Sequence, residues 1–273
     1  MSFQTHEKQG LLWLTSESLA LGGVVHGFST RRGGVSAPPW DSLNLGLARG
    51  DEDTCVRENY RRFCAAIGAD VEKTVLSRQV HEDNVRLVTA ADAGKGLWRE
   101  RDYTSVDAMI CREPGLALTV FSADCGIVLL YDPVHRAIGA VHAGWRGTAL
   151  GLVKKTALAM AHHFGTDCAD LRCAIGPSIE ACCFETDDDV PEALRAALGN
   201  DADAYMERRG SKWHIDLKGI NAHWLRSVGV RHIDICHHCT GCRPDLYWSH
   251  RKMGNSRGAQ VAMIALQDGE DRL

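Results

Sequence analysis

The sequence has few prolines, no long apolar run and no large excess of charge of either sign. Its 273 residues include 7 prolines, and 31 Lys+Arg against 35 Asp+Glu give a formal net charge of -4. This balance argues against a broad nucleic-acid surface, which needs a basic face. The longest apolar run, Gly126–Tyr131, is far too short to span a membrane. We therefore expect neither a nucleic-acid partner nor a membrane partner.

The first twenty residues lack the features of an export signal. They contain no basic start, no sustained apolar stretch and no small-residue cleavage site. We therefore expect a cytoplasmic protein. In that reducing compartment the 11 cysteines are predicted to be buried thiols, metal ligands or catalytic groups rather than disulfides.

Motifs that identify several common enzyme classes are missing as well. The sequence contains no G-x-G-x-x-G, no Walker-type loop, no G-x-S-x-G and no H-E-x-x-H. The 13 histidines include no His-x-His, and the adjacent pairs His162-His163 and His237-His238 are expected to point apart. Multicopper oxidases hold their coppers with many paired histidines, so the ligands argue against a true multicopper oxidase.

Short apolar runs dominate what is present, without an internal repeat or a linker. Strands are predicted at Val24–Ser29, Val85–Thr89, Asp107–Cys111, Leu116–Phe121, Gly126–Tyr131, Ala137–His142, Leu171–Ile175, Trp213–Leu217, Arg231–Cys236 and Gly258–Leu266. Helices are predicted from Asp53 or Thr54 to about Ile67, and at Thr148–Phe164, Val190–Leu198 and Ile220–Val228. Strands come first and then mix with helices, which predicts an α+β fold in one unit over residues 1–273.

One predicted strand-to-helix junction combines several chemically useful groups. His142 ends a strand, and Gly144 and Gly147 permit an unusual backbone path. Arg146 adds positive charge, and Thr148 is predicted to open a helix whose first amides could bind an anion. A tight turn with a histidine satisfied in the core fits the same residues about equally well.

A second segment places Asp124 and Cys125 between two apolar runs. A charged aspartate there is costly unless it has a partner or a function, whereas a buried cysteine alone is more often a small hydrophobe. With His81 and His142, Cys125 completes a His2Cys set, which is typical of a catalytic zinc site with an open fourth position. In a rival hypothesis without a metal, Cys125 is a nucleophile and His142 or His81 is its base.

A separate cysteine cluster contains Cys236, Cys239 and Cys242, whose two overlapping C-x2-C steps have the spacing of metal ligands. A four-ligand zinc site would need a second such step. None exists, and Cys182-Cys183 is an adjacent pair with an awkward spacing for chelation. The sequence therefore favours a turn of reduced thiols, and a metal is the less favoured alternative.

Six segments in this order resemble a known family: GFSTRRGGVSAPPWDSLNLG, SRQVHEDNV, ADCGIVLLYD, AVHAGWRGT, AIGPSIEACCFE and YWSHRKMGNSRGAQ. They are similar to the YfiH-type family, labelled polyphenol oxidase or laccase-domain protein, purine nucleoside phosphorylase and peptidoglycan editing factor. The resemblance runs from about Gly27 to Leu266. It implies a single-domain layered sandwich with two mixed β-sheets flanked by helices. It also implies a metal site, usually zinc, at His81, Cys125 and His142.

The resemblance implies phosphorolysis of adenosine, inosine and methylthioadenosine, deamination of adenosine, and copper-dependent oxidation of phenols. For phosphorolysis we expect Arg31, Arg146 and the helix start at Thr148 to bind phosphate. Gln79 is expected either to orient a substrate hydroxyl or to support the neighbouring metal ligand by a hydrogen bond. For deamination, bound zinc would activate water, and Asp124 is the candidate acid–base group. Copper in place of zinc would make phenol oxidation a side activity.

One alternative function follows from the editing-factor label. A cysteine- or metal-dependent amide hydrolase would act on a peptidoglycan precursor, with Cys125 as nucleophile or ligand. Small departures from the family pattern leave substrate preference open. Glu82 stands where glycine is common, Gly126 where proline is common and Lys252 where arginine is usual.

Overall fold

The computed structural model describes residues 3–267, so the ends of the predicted unit over residues 1–273 lie outside the described part. The strands are β1 (Phe3–Lys8), β2 (Leu11–Ser16), β3 (Val24–Ser29), β4 (Thr74–Leu76), β5 (Val85–Leu87), β6 (Ala108–Cys111), β7 (Ala117–Ser122), β8 (Gly126–Asp132), β9 (Ala137–Ala143), β10 (Arg172–Ile175), β11 (Glu185–Thr186), β12 (Met206–Arg209), β13 (Lys212–Ile215), β14 (His232–Ile235) and β15 (Gln260–Leu266). The helices are α1 (Asp53–Ile67), α2 (Trp145–Ala149), α3 (Leu152–Phe164), α4 (Asp189–Leu198), α5 (Leu217–Arg226) and α6 (His250–Met253). None of the helices in residues 3–267 has the length and apolar character needed to cross a membrane.

Two six-stranded mixed sheets form the centre of the molecule. The first has the strand order β1-β2-β3-β15-β7-β4, and the second has the order β14-β10-β8-β9-β6-β5. Strand β4 is parallel to β7, whereas β7 is antiparallel to β15. In the second sheet β5 is parallel to β6, and β8 is antiparallel to β9. The predicted α+β fold with two mixed sheets is confirmed.

The two large sheets share one apolar core. Phe28 and Ile264 of the first sheet cluster with Leu129 and Ile138 of the second. All four side chains are at most 1% exposed. Because successive residues of a strand point to opposite faces, the other face of each sheet must be covered by something else.

Helices cover the outer faces. Val128 of β8 packs with Met160 of α3 and Leu225 of α5 on the second sheet. Met263 of β15 packs with Phe63 of α1 on the first sheet. Apolar side chains recur on one face of each of these helices, and this pattern stabilises a helix against a sheet. The result is a helix–sheet–sheet–helix sandwich.

The predicted helix Thr148–Phe164 is wrong at its start. The chain forms α2 and then α3, separated at Gly151, which has a φ of 68°. This left-handed conformation interrupts the helical path and is cheap for glycine. Thr148 lies inside α2, where its amide donates to the Gly144 carbonyl at 2.8 Å. The helical amides near this loop therefore follow Gly144 and not Thr148.

The N-terminal hairpin was not predicted from the sequence. Strands β1 and β2 pair in antiparallel register across a turn at Gln9 and Gly10, which have φ values of 51° and 79°. Two consecutive positive φ values are typical of the tight turns that join antiparallel strands. Strand β1 is an edge strand with mostly exposed side chains, so it carries no apolar pattern to predict.

Candidate metal centre and active site

The pairing of β8 with β9 brings the central residues of the site together. In this antiparallel register Gly126 pairs with Ala143 and Ile127 pairs with His142. Cys125 directly precedes β8, so it lies opposite the end of β9 beside Gly144. The start of one antiparallel strand and the end of its neighbour lie at the same end of the sheet. This places the Cys125 thiol and the His142 imidazole side by side.

His81 reaches the same edge from a loop that follows β4. Its φ of 64° is uncommon for a residue with a side chain. The carboxylate of Asp107 stabilises this turn by accepting the amides of Val80 at 2.9 Å, His81 at 3.1 Å and Glu82 at 3.2 Å. Asp107 directly precedes β6, which pairs with β9, and so links the His81 loop to the strand that carries His142.

His81, Cys125 and His142 each place one ligand atom within 4.8 Å of the others. The two imidazole rings are 4.9 Å apart and nearly perpendicular. His142 is buried, Cys125 is half-buried and His81 is exposed. The group is therefore closed on the side of His142 and open to solvent on the side of His81.

The shape and the chemistry of this group fit a metal ion. Two imidazoles and one thiolate are ligands that suit zinc and copper. A Cβ on Gly144 would lie 2.9 Å from His81 Nδ1 and 3.2 Å from Cys125 Sγ. Glycine therefore leaves the space in which these two donor atoms face each other.

Asp107 also sets the electrostatics of His142. Its carboxylate lies 2.8 Å from His142 Nδ1, an arrangement that orients a metal-binding imidazole. Burial by itself would lower the pKa of His142, but the Cys125 sulfur and the Asp107 carboxylate raise this pKa to about 9. Burial and His142 lower the pKa of His81, and Arg146 adds to this effect. A metal ion competes with the proton on His142.

An apolar pocket of about 140 Å³ opens next to Cys125. Its walls include Trp145, Ile179, Phe184 and Leu217. Two larger grooves, of about 550 and 460 Å³, lie elsewhere on the surface, and no histidine or cysteine lines either of them. The 140 Å³ pocket is lined by Cys125 of the His2Cys group, whereas a third larger groove, of about 300 Å³, is lined by Cys182 and His237.

Asp124, predicted as an acid–base group, lies next to the His2Cys group, but its carboxylate is hydrogen-bonded to other residues of the protein. Its carboxylate accepts the Thr240 hydroxyl at 2.6 Å, the Ser249 hydroxyl at 3.1 Å and the Arg251 amide at 2.7 Å. Its φ of 94° shapes the turn before Cys125. These contacts make Asp124 a residue that holds the Cys125 loop in place.

Two of the predicted substrate-binding residues use their polar groups within the fold. Gln79 accepts the Phe121 amide at 2.7 Å and donates to the Phe121 carbonyl at 3.0 Å. Arg31 donates to the carbonyls of Asp41 and Pro244 and stacks over Trp248 at 4.0 Å. Both side chains therefore have structural partners that a substrate would have to replace.

Thr148 is engaged in the same way. Its hydroxyl donates to the Ala143 carbonyl at 3.3 Å and accepts the Asn221 amide at 2.9 Å. The residue is fully buried. Arg146, in contrast, is exposed, stacks over Trp145 at 4.2 Å and lies near enough to His81 to lower its pKa. Arg146 remains available to a ligand.

Sequence reasoning missed Asp107 and Arg257. Asp107 was included in a predicted strand, and its only signal was a charged residue at the start of an apolar run. Arg257 donates to the Gly258 carbonyl at 3.0 Å. Burial and Arg49 lower its pKa to about 10, and Asp124 and Cys125 oppose this shift. Arg257 thus adds positive charge near Cys125, and its only signal in the sequence was its place in the segment YWSHRKMGNSRGAQ.

Comparison with known proteins shows the family of this chain. A family described as multi-copper polyphenol oxidoreductase laccase matches residues 25–267. The chain belongs to this family. It is 33% identical over 263 residues to a protein of Geobacillus stearothermophilus named purine nucleoside phosphorylase YlmD, with 94% of this chain and 95% of that one covered. A Deinococcus radiodurans protein named purine nucleoside phosphorylase is 36% identical, with 96% and 98% covered.

A solved structure supports the same relationship. The crystal structure of a hypothetical protein YfiH from Bacillus licheniformis superimposes with a TM-score of 0.89 at 31% identity, covering 96% of this chain and 99% of that one. The resemblance to the YfiH-type family is confirmed. The family description mentions several coppers. Among residues 3–267 the candidate metal-binding groups are the His2Cys group and a cluster of four cysteines. Neither of them contains the His-x-His pattern of a multicopper site.

Proposed function

We propose that this chain is a metal-dependent purine nucleoside phosphorylase. The observation that carries the proposal is the convergence of His81, Cys125 and His142 within 4.8 Å beside an apolar pocket. Relatives named purine nucleoside phosphorylase support it, because two of them match this chain over more than nine-tenths of both lengths.

Zinc is the metal we propose for the His2Cys group. Three protein ligands with one open side is the pattern of catalytic zinc sites. Zinc bound there would supply a Lewis acid at that open side. The protein's own contribution is to orient His142 through Asp107 and to leave room for the donor atoms at Gly144.

The pocket would bind the nucleoside, and the nearby arginines would bind phosphate. A pocket of about 140 Å³ is smaller than the roughly 300–1,000 Å³ that encloses a drug-sized ligand. We therefore place the flat purine between Trp145 and Phe184, with the ribose toward Cys125. Arg146 and Arg257 would bind phosphate, because guanidinium groups suit phosphate oxygens.

Phosphorolysis breaks the bond between ribose C1′ and the purine nitrogen and forms a bond from C1′ to a phosphate oxygen. The electron pair of the broken bond leaves with the purine, which takes up a proton. By holding phosphate and nucleoside together, the two arginines and the pocket would make the reaction effectively intramolecular.

The test is product analysis of the purified full chain supplied with adenosine, with and without phosphate. We expect adenine and ribose 1-phosphate only when phosphate is present, and at least a 100-fold lower rate for Cys125→Ser. Cys55→Ser, which changes a cysteine on α1, is the matched control and should retain activity. Inosine formed without phosphate would show the predicted deamination, and no product from adenosine or inosine would contradict the proposal.

A cysteine hydrolase is a second candidate because His142 forms a hydrogen bond with Cys125. This hydrogen bond raises the pKa of His142. A thiol paired with imidazole is an activated nucleophile. The two functions differ in their response to metal removal. Chelation should abolish phosphorolysis, whereas a cysteine hydrolase would keep its amide-cleaving activity and lose it to a thiol-alkylating reagent.

We propose phenol oxidation only as a side activity of the copper-loaded site, since thiolate and imidazole also suit copper. Protein loaded with copper should oxidise phenols faster than protein loaded with zinc. Equal rates in the two samples would contradict this.

A further inference from the structure

Four cysteines from two chain segments about sixty residues apart meet in a second cluster, which shares no residue with the His2Cys group. Cys182 and Cys183 precede β11, and Cys239 and Cys242 lie between β14 and α6. Each offers a sulfur within 4.8 Å of the other three. Cys236, which the sequence placed in the same cluster, is not among them. We propose that these four thiolates form a structural zinc site.

The sulfur separations fit ligands of one ion. Cys242 Sγ lies 3.5 Å from Cys182 Sγ and 3.4 Å from Cys183 Sγ. A tetrahedral zinc with Zn–S bonds of about 2.3 Å would place its sulfurs about 3.8 Å apart. Disulfide-bonded sulfurs would lie about 2.05 Å apart. These two separations are a few tenths of an ångström below that spacing, and all four sulfurs lie within 4.8 Å of one another.

The backbone supports a thiolate at Cys239 and leaves room for the adjacent pair. The Glu180 amide donates to Cys239 Sγ at 3.4 Å, and a parallel bridge joins Ser178 to Cys239. A Cβ on Gly241 would meet Cys183 Cβ at 2.9 Å and Cys183 Sγ at 3.1 Å. Glycine between the two cysteines of the C-x2-C step therefore lets the adjacent pair approach.

The adjacent pair Cys182-Cys183 replaces the second C-x2-C step that the sequence analysis looked for. Both sulfurs contact Cys242, so two neighbouring residues reach one point in space. Four thiolates in a closed set are typical of structural zinc sites. Iron is the other metal that such a set binds, and the experiment below distinguishes the two.

The site is connected to the loop that carries Cys125. Thr240, inside the C-x2-C step, donates to Asp124 at 2.6 Å. Arg251 donates to the Cys183 carbonyl at 3.3 Å, and its own amide donates to Asp124 at 2.7 Å. A zinc ion here would join the two chain segments that carry the cysteines and, through Thr240 and Arg251, would help to hold Asp124 in place. This inference stands without the proposed function, because its test measures metal and not catalysis.

The decisive measurement is metal content combined with zinc X-ray absorption on the full chain. A His81→Ala/Cys125→Ser double variant removes two ligands of the other site. We expect it to retain about one zinc per chain, with four sulfurs at about 2.3 Å. Iron or copper in place of zinc, nitrogen or oxygen ligands, or a disulfide among these cysteines found by mass spectrometry would overturn the proposal.

The unmodified chain gives an answer even if the double variant fails to fold. It should bind about two zinc ions, and one zinc with a single sulfur ligand would overturn the proposal. Cys242→Ser should lose about one zinc and lower the melting temperature, Cys242→His should retain the zinc because imidazole is also a ligand, and Cys55→Ser should change neither. Four-sulfur zinc in a chain without phosphorolysis would support this site and contradict the proposed function, and phosphorolysis without that zinc would do the reverse.

Discussion

The carboxylate of Asp107 lies 2.8 Å from His142 Nδ1 and accepts the His81 amide at 3.1 Å. Burial would raise the pKa of Asp107, but His142 and the amides of the His81 loop hold it below its usual range. Asp107 is therefore a carboxylate that accepts a hydrogen bond from the His142 Nδ1–H, which leaves His142 Nε2 free to face the metal position. One side chain thus orients both histidines of the candidate site.

We expect Asp107→Asn to weaken metal binding by about 10- to 100-fold, as is usual when the partner of a metal-binding histidine is lost. The amide group would also meet the backbone amides of the His81 loop donor to donor. Competition with a chromophoric chelator measures the affinity directly.

Asp132→Asn is the matched control, because Asp132 is a buried aspartate that bonds His135 Nδ1 at 2.9 Å at the far end of β8. It should alter stability without altering metal affinity. A similar loss of affinity in both variants would show that Asp107 acts only through general stability.

Gly144→Ala should lower metal affinity while leaving the fold intact. The added methyl group would lie 2.9 Å from His81 Nδ1 and 3.2 Å from Cys125 Sγ, and the exposed His81 ring can move away to relieve the contact. Gly147→Ala is the control, since a Cβ there would lie 3.5 Å from its nearest neighbour, the His142 carbonyl oxygen. Calorimetric zinc titration and circular dichroism report the two properties, and unchanged affinity in Gly144→Ala would contradict the geometry.

Arg257→Gln should raise the KM for phosphate by about tenfold or more, because a hydrogen bond to a charged group contributes roughly 1.5–3 kcal/mol. The KM for adenosine should change much less. Arg62→Gln, which alters an exposed arginine on α1, is the control for general charge. Steady-state kinetics with varied phosphate checks this, and an equal rise in both KM values would count against a role in phosphate binding.

His26 should make the fold sensitive to acid. It is 6% exposed, its Nε2 accepts the Ser16 amide at 2.8 Å, and burial lowers its pKa to about 4. In the unfolded chain the His26 side chain binds a proton near pH 6.5, whereas in the folded chain it does so only near pH 4. The free energy of unfolding should therefore fall as the pH drops from about 6.5 to 4, by at most about 3 kcal/mol from this group.

Urea unfolding at several pH values measures this effect. His26→Gln keeps an oxygen that can accept the Ser16 amide but cannot take up the proton, so its stability should fall less over the same range. His162→Gln, which changes an exposed histidine on α3, should retain the slope of the unmodified protein. A slope unchanged in His26→Gln would rule out this residue as the cause.

Elements with a clear apolar period were predictable. Helix α1 and strand β3 begin and end where the sequence analysis placed them, because their apolar residues repeat with the period of a helix or form a continuous buried run. Strand β1 and the break at Gly151 were missed. An exposed edge strand has no apolar pattern, and a single left-handed residue leaves helical composition on both sides.

The sequence by itself determined the family, the α+β character and the identity of three candidate metal ligands. His81, Cys125 and His142 were candidates because imidazole and thiolate both suit zinc and copper and because each of the three lies in a segment that resembles the family. Tertiary structure decided which polar groups remain free. Asp124 and Gln79 have their hydrogen-bonding capacity used by residues far along the chain.

Tertiary structure alone also decided which residues meet. Asp107 joins His142 because β6 pairs with β9, and Cys182 joins Cys242 across sixty positions of sequence because two loops fold onto each other. Spacing along the chain reports neighbours only within one helix or strand. Distances across sheets and between loops follow from strand register and packing, which no local pattern contains.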